Sequence, residues 1–182
     1  MHEIKLVGLV GSLRAESLNG MLMRAALTRL PRGTELDVLG DLDQLPFYNQ
    51  DVEHEPHHVV DRLREHVDEA DGVLIATPEY NYGVPGVLKN AVDWLSRPMG
   101  RAALKSKPVA VMGASPSNFG SVRAQLALRQ NLLGADARPM AKPEYILSRA
   151  KSAFDIDGEM VDDTSSDLLI KFLEAFSAQI EA

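Results

Sequence analysis

The chain has 182 residues, 45% of them apolar, which suits one domain spanning residues 1–182 with a sizeable core. Nineteen basic against 26 acidic side chains leave a formal charge of −7 without a long basic run, which argues against nucleic acid and against an anionic membrane surface as partners. The absence of cysteine excludes disulfides, iron–sulfur clusters, thiolate metal sites and cysteine nucleophiles, and it accords with a cytoplasmic protein.

The first element is the apolar run Ile4 to Val10, too short for a membrane span and without a signal-peptide cleavage site. Its near-continuous hydrophobicity, ending at Gly11, is that of a strand buried on both faces of a parallel sheet. Leu18, Leu22, Ala25 and Ala26 then recur at helical spacing, Pro31-Arg32-Gly33 breaks the pattern, and Leu36, Val38 and Leu42 suggest a second strand. Val59, Leu63, Val67 and Ala70 form a second helical stripe, followed by the strand Val73-Leu74-Ile75-Ala76. Pro85 opens a third helix with the stripe Val87, Leu88, Ala91, Val92 and Leu95, and Pro98 follows its end. Val109 to Met112 reads as strand four, and Val122, Leu126 and Leu133 mark a fourth helix ending near Gly134. Tyr145-Ile146-Leu147 is a weaker strand, placed at a sheet edge by Pro139 and Pro143. The acidic stretch Asp155 to Asp163 reads as a surface loop, and Leu168, Leu169, Phe172, Leu173, Phe176 and Ile180 give an amphipathic C-terminal helix.

Five strands alternating with five helices predict a doubly wound parallel sheet whose right-handed crossovers place helices on both faces, a three-layer α/β fold. In such sheets ligands collect outside the carboxyl ends of the strands, where the strand order reverses. The loops after strands one, three and four therefore matter most.

The first loop reads Gly11-Ser12-Leu13-Arg14-Ala15-Glu16-Ser17-Leu18-Asn19 and runs into helix one. Hydroxyls, a guanidinium, an amide and the unpaired N–H groups of a helix start can surround a terminal phosphate. Each residue alone also suits an ordinary cap or surface position. The loop lacks Gly-x-Gly-x-x-Gly, so a mononucleotide is expected rather than a dinucleotide. The second loop, Pro78-Glu79-Tyr80-Asn81-Tyr82-Gly83-Val84-Pro85, combines a stiff backbone with planar side chains. It can hold a flat ring against the amides of Glu79 to Gly83, or it is a plain turn with two half-buried tyrosines. The third loop, Gly113 to Gly120, contains Ser115 and could touch the same ring or merely connect.

His54, His57 and His58 lie at the start of an exposed helix beside Glu53 and Glu55, where a solvated role is expected rather than a metal site. Asp155-Ile156-Asp157-Gly158-Glu159 has too few spaced carboxylates for a calcium loop. Trp94, on helix three, is expected to be buried.

Two motifs together, Gly11-Ser12-x-Arg14-x-x-Ser17-x-Asn19 and Pro78-Glu79-Tyr80-Asn81-Tyr82-Gly83-x-Pro85-Gly86-x-Leu88-Lys89-Asn90-Ala91-x-Asp93-Trp94, resemble the NADPH-dependent FMN reductase family. The resemblance covers roughly residues 4 to 150 and leaves 151–163 unassigned. It implies a flavodoxin-like five-stranded sheet of order 2-1-3-4-5 and an enzyme that carries electrons from NADPH or NADH through bound FMN to a small oxidant, a quinone, azo compound, chromate or free flavin. It implies that Ser12, Arg14, Ser17 and Asn19 bind the FMN phosphate, that Pro78, Glu79, Tyr80, Asn81 and Gly83 line the isoalloxazine, and that Ser115 is a further contact. It also implies a homodimer or homotetramer. No catalytic side chain is required, since the flavin carries the chemistry, and ping-pong kinetics are expected. Two competing readings are an FMN electron carrier that docks protein partners and an NAD(P) dehydrogenase using Asp37 or Asp41 for the ribose.

Overall fold

The computed structural model describes residues 3–182. The β-α alternation read from the sequence is realised as strands β1 (Ile4–Val10), β2 (Thr34–Leu39), β3 (Gly72–Ala76), β4 (Pro108–Ala114), β5 (Arg138–Pro139) and β6 (Tyr145–Leu147), with helices α1 (Leu18–Leu27), α2 (His58–Glu69), α3 (Gly86–Leu95), α4 (Val122–Gly134) and α5 (Asp163–Glu181). The strands pair in parallel in the order β2-β1-β3-β4-β5, the flavodoxin-like order, with its switch point between β1 and β3.

Alternation along each strand divides the core into two layers. Val7 and Leu9, Val73 and Ile75, and Val109 and Val111 face α2, α3 and α4. Leu6, Leu74, Ala76, Ala110 and Met112 face α1 and α5, where Phe172 and Phe176 are fully buried. Two-sided burial explains why β3 reads as an unbroken apolar run.

Three sequence expectations need adjustment. The fifth strand position is filled by two short pieces, β5 against Pro108 and Val109 and β6 against Met112 to Ala114. Pro139 has no N–H for the ladder, so the chain leaves β4 after the Met140 N–H donates to the Val109 carbonyl at 2.8 Å, and returns at Tyr145. Leu42 belongs to a short 3-10 turn, not to β2. On α4 the buried face is Ala124, Gln125, Leu128 and Leu132, whereas Leu126 and Leu133 are 54% and 62% exposed. Gln125 lies inside because its amide donates to Ser121 Oγ at 3.2 Å and to the Tyr145 carbonyl at 3.1 Å. The acidic stretch after residue 154 is a surface loop as expected, closed as a tight turn by buried Phe154 and Met160, which form a β-bridge, with Ile156 97% exposed at its tip. Asp155 Oδ1 accepts the Asp157 and Glu159 N–H groups there, at 3.0 and 2.9 Å.

Trp94 is buried as expected, and its indole N–H donates to the Pro46 carbonyl at 2.8 Å. Asn90 holds the same segment from both ends of its amide, donating to the Pro46 carbonyl at 2.9 Å and accepting the Tyr48 N–H at 2.8 Å. The segment after β2 is thus fastened along α3. No helix among the described residues is long and apolar enough to cross a membrane.

Candidate active site

The carboxyl ends of β1, β3 and β4 are laced together by backbone bonds. The Gly11 N–H donates to the Ala76 carbonyl, the Thr77 N–H to the Met112 carbonyl and the Ser115 N–H to the Leu147 carbonyl, at 2.9, 2.9 and 3.0 Å. Two glycines let these ends approach one another. A Cβ at Gly11 would press on Leu88 and Pro78 at 3.1 and 3.3 Å, and one at Gly113 would lie 1.8 Å from Ser121 Oγ and 2.5 Å from the Thr77 carbonyl oxygen. The three loops singled out in the sequence therefore meet at one rim.

In the first loop, Ser17 is the N-cap of α1 and its hydroxyl accepts the Gly20 N–H at 3.3 Å. The Leu18 and Asn19 N–H groups have no acceptor among the described residues, and the first turn of α1 carries no acid. Arg14 is exposed and pairs with no carboxylate among the described residues, while Ser12 is half-buried. A cation, a hydroxyl and the positive end of a helix are thus left for an anion.

The Asn19 side chain is committed elsewhere. It is buried, with Nδ2 donating to the Ala114 carbonyl at 3.0 Å and Oδ1 accepting the Ala114 N–H at 2.9 Å. The carboxamide ties the start of α1 to the end of β4, so only the main chain of Asn19 is available to a phosphate.

The second loop is a reciprocal turn. The Tyr80 and Gly83 N–H groups donate to each other's carbonyls at 3.2 and 3.0 Å, and Asn81 and Tyr82 between them both have left-handed backbones, φ 50° and 66°. Two consecutive left-handed non-glycine residues store strain. The turn consumes two of the five amides expected to face a ring and leaves those of Glu79, Asn81 and Tyr82 without an acceptor among the described residues. Pro78 is buried beneath, its carbonyl accepting the Thr77 hydroxyl at 2.9 Å, and Tyr80 reaches the first loop, its hydroxyl 3.3 Å from Ser12 Oγ.

Glu79 turns its carboxylate away from the turn onto the start of α4, accepting the Arg123 N–H at 3.0 Å and the Ala124 N–H at 3.4 Å and pairing with the Arg123 guanidinium. Burial pushes this carboxyl up, but the Arg123 guanidinium and the two helix amides outweigh it and hold it below the ordinary carboxylate range. The guanidinium also lies 3.9 Å from the Tyr82 ring centre and 5.0 Å from that of Phe119, side chains 71% and 61% exposed. Sequence reasoning missed Arg123, since no spacing joins it to a residue 44 positions earlier.

The third loop is stiffened by its own hydroxyls. Ser115 Oγ donates to Ser117 Oγ at 3.1 Å and accepts the Ser117 N–H at 3.2 Å. Ser115 stands at the rim, half-buried.

The acids proposed for a dinucleotide lie apart from this rim, around a cleft of about 240 Å³ at the end of β2 that includes Asp37, Gly40, Asp41, Arg62 and His66. Asp41 pairs with Arg62 at 2.5 Å and Asp37 lies 3.7 Å from His66 Nε2, so both carboxylates already have cationic or imidazole neighbours. The three histidines do not converge: His54 Nε2 is 3.4 Å from Glu53, while the rings of His57 and His58 stack at 5.4 Å.

The model of the NADPH-dependent FMN reductase family matches residues 4–152. The chain belongs to that family. It is 43% identical to an NAD(P)H-dependent FMN reductase of Pseudomonas aeruginosa over 95% of this chain and 93% of that one. It is 40% identical to a quinone reductase of Escherichia coli over 99% and 97% of the two chains. The solved structure of FerB, a flavoenzyme NAD(P)H:(acceptor) oxidoreductase from Paracoccus denitrificans, superposes with a TM-score of 0.90 at 36% identity, covering 98% of this chain and 97% of that one. As a member of the FMN reductase family this protein is an oxidoreductase, with FMN its cofactor and NAD(P)H its electron donor. The donor set at the rim fits such a group, since a free cation and helix start lie beside a turn with three unspent amides.

Proposed function

We propose that the protein passes electrons from NAD(P)H to a small oxidant, a quinone first among them, with FMN seated across the three loops at the ends of β1, β3 and β4. The observation that carries this reading is the pairing of unspent groups on neighbouring loops: Arg14 and the first amides of α1 on one, the Glu79, Asn81 and Tyr82 amides on the other. When bound, FMN supplies the hydride and electron chemistry, so the chain provides position and electrostatics. Ser12, Arg14, the Ser17 cap and the main chain of Asn19 hold the phosphate. Pro78, Glu79, Tyr80, Asn81 and Gly83 form the surface for the ring, and Ser115 is a contact from the third loop.

Donor and oxidant use the same open face in turn, which gives ping-pong kinetics, and exposed Tyr82 and Phe119 border that face. A homodimer or homotetramer completes this reading, supported by Leu126 and Leu133 on the outer face of α4, apolar side chains that an interface would cover. The quinone acceptor is supported by the quinone reductase activity named for the Escherichia coli relative.

The test is anaerobic. Purified protein is reconstituted with FMN, NADPH or NADH is added, and the visible flavin bands are followed as they bleach and then return on addition of benzoquinone. Both steps at rates that sustain turnover establish the reductase. Flavin that stays oxidised with either nucleotide assigns the protein to passive electron carriage between protein partners instead.

A further inference from the structure

The Tyr80–Gly83 turn is left-handed at two successive residues, and one side chain outside it contacts both the residue before it and a ring within it. Arg123, on the first turn of α4, binds the Glu79 carboxylate immediately before the turn and lies 3.9 Å from the centre of the Tyr82 ring within it. The same guanidinium faces Phe119, at 5.0 Å, in the loop after β4. Arg123 therefore touches both walls of the rim, while its own N–H and that of Ala124 fix the other oxygen of Glu79.

We propose that Arg123 is a positioning residue for the flavin site: through Glu79 and Tyr82 it keeps the Tyr80–Gly83 turn in its binding conformation before FMN arrives and sets the gap between the second and third loops. This rests on the site assignment above. A left-handed backbone is tolerated by Asn81 but disfavoured at Tyr82 unless its surroundings enforce it, so a chain without the clamp would have to reorder the turn each time flavin bound. Arg suits the task better than Lys, because only the planar fork can bind a carboxylate along one edge and stack on an aromatic ring with its face. The carboxylate also lies where α4 presents its positive end, so Glu79 and Arg123 form one unit with the helix start.

The experiment compares the full-length wild-type chain with Arg123→Met, Arg123→Lys, Glu79→Gln and the Arg123→Met/Glu79→Gln double variant. FMN affinity is measured by quenching of flavin fluorescence, and the amide exchange of Asn81 and Tyr82 is measured without flavin. The expected result is a Kd raised at least fivefold in each Arg123 variant and in Glu79→Gln, with the double variant no worse than Arg123→Met alone. Faster exchange at Asn81 and Tyr82 and a flavin-free melting temperature within about 5 °C of wild type should accompany it. A purely structural role would lower the melting temperature and leave exchange in the turn no faster than elsewhere. A Kd changed less than fivefold, or independent multiplicative losses in the double variant, overturns the proposal. Should Arg123→Met not fold, Arg123→Lys with unchanged turn exchange and Kd overturns it equally. A wild-type chain that fails to bind FMN defeats the site assignment instead.

Discussion

The loop from Gly11 to Asn19 and the loop from Pro78 to Pro85 meet at one rim but are built in opposite ways. In the first, the polar groups are uncommitted: among the described residues Arg14 has no carboxylate partner and the first α1 amides no acceptor, and order comes from below, through Ser17 and Asn19. In the second, the backbone itself is fixed, closed by the Tyr80–Gly83 pair and clamped by Glu79 and Arg123. A phosphate is a compact dianion recognised by charge and N–H donors, and hydrated, mobile groups can gather around it. A planar ring offers its edge and face in one orientation only, so a turn proposed to receive one gains affinity from being formed in advance.

The largest effect should come from cutting the hidden anchor of the first loop. Asn19→Ala strands the buried N–H and carbonyl of Ala114 and should cost about 2–5 kcal/mol in urea unfolding, with FMN binding lost alongside. Arg14→Ala removes a charge that no carboxylate among the described residues pairs with. FMN affinity should fall about 10–100-fold while flavin-free stability changes by no more than about 0.5 kcal/mol. A loss of stability there would erase the contrast between the loops.

Glu79→Gln tests the stiffer loop through pH. A carboxyl held below its ordinary value lends stability that is complete above its unfolded-state value and is lost as pH falls through the lower folded-state value. Wild type should therefore lose more melting temperature than Glu79→Gln on acidification from about pH 5 to pH 3, after exceeding it by about 1 kcal/mol at pH 7. Curves that stay parallel would mean that the Arg123 pairing does not stabilise the fold. The smallest effect is expected for Tyr80→Phe, which loses only the 3.3 Å contact with Ser12 and should change FMN affinity less than about twofold.

Much of this was legible in the sequence, for physical reasons. Buried parallel strands are continuous apolar runs, so β1 and β3 could be bounded within a residue, and the switch-point rule then named the loops. The face of α4 was not legible, because Leu126 and Leu133 are larger than the alanine and glutamine that are buried in their place. Gln125 is inside because Ser121 Oγ and the Tyr145 carbonyl of β6 both accept from its amide. At the rim, residue types suggested a phosphate and ring site and the fold brings those residues together, but the division of labour within the motif was hidden. Asn19 has the chemistry of a phosphate ligand and spends it on Ala114, and Glu79 finds its partner 44 residues away. Both depend on which strand ends lie side by side, which local pattern does not encode.

The most direct test of the account is a titration of isotopically labelled protein with FMN, followed through its backbone amide resonances. The largest shifts are expected on residues 12–19, 79–83 and 115–120, with the cleft around Gly40, Arg62 and His66 unmoved. Shifts centred on that cleft, with the three loops silent, would contradict it.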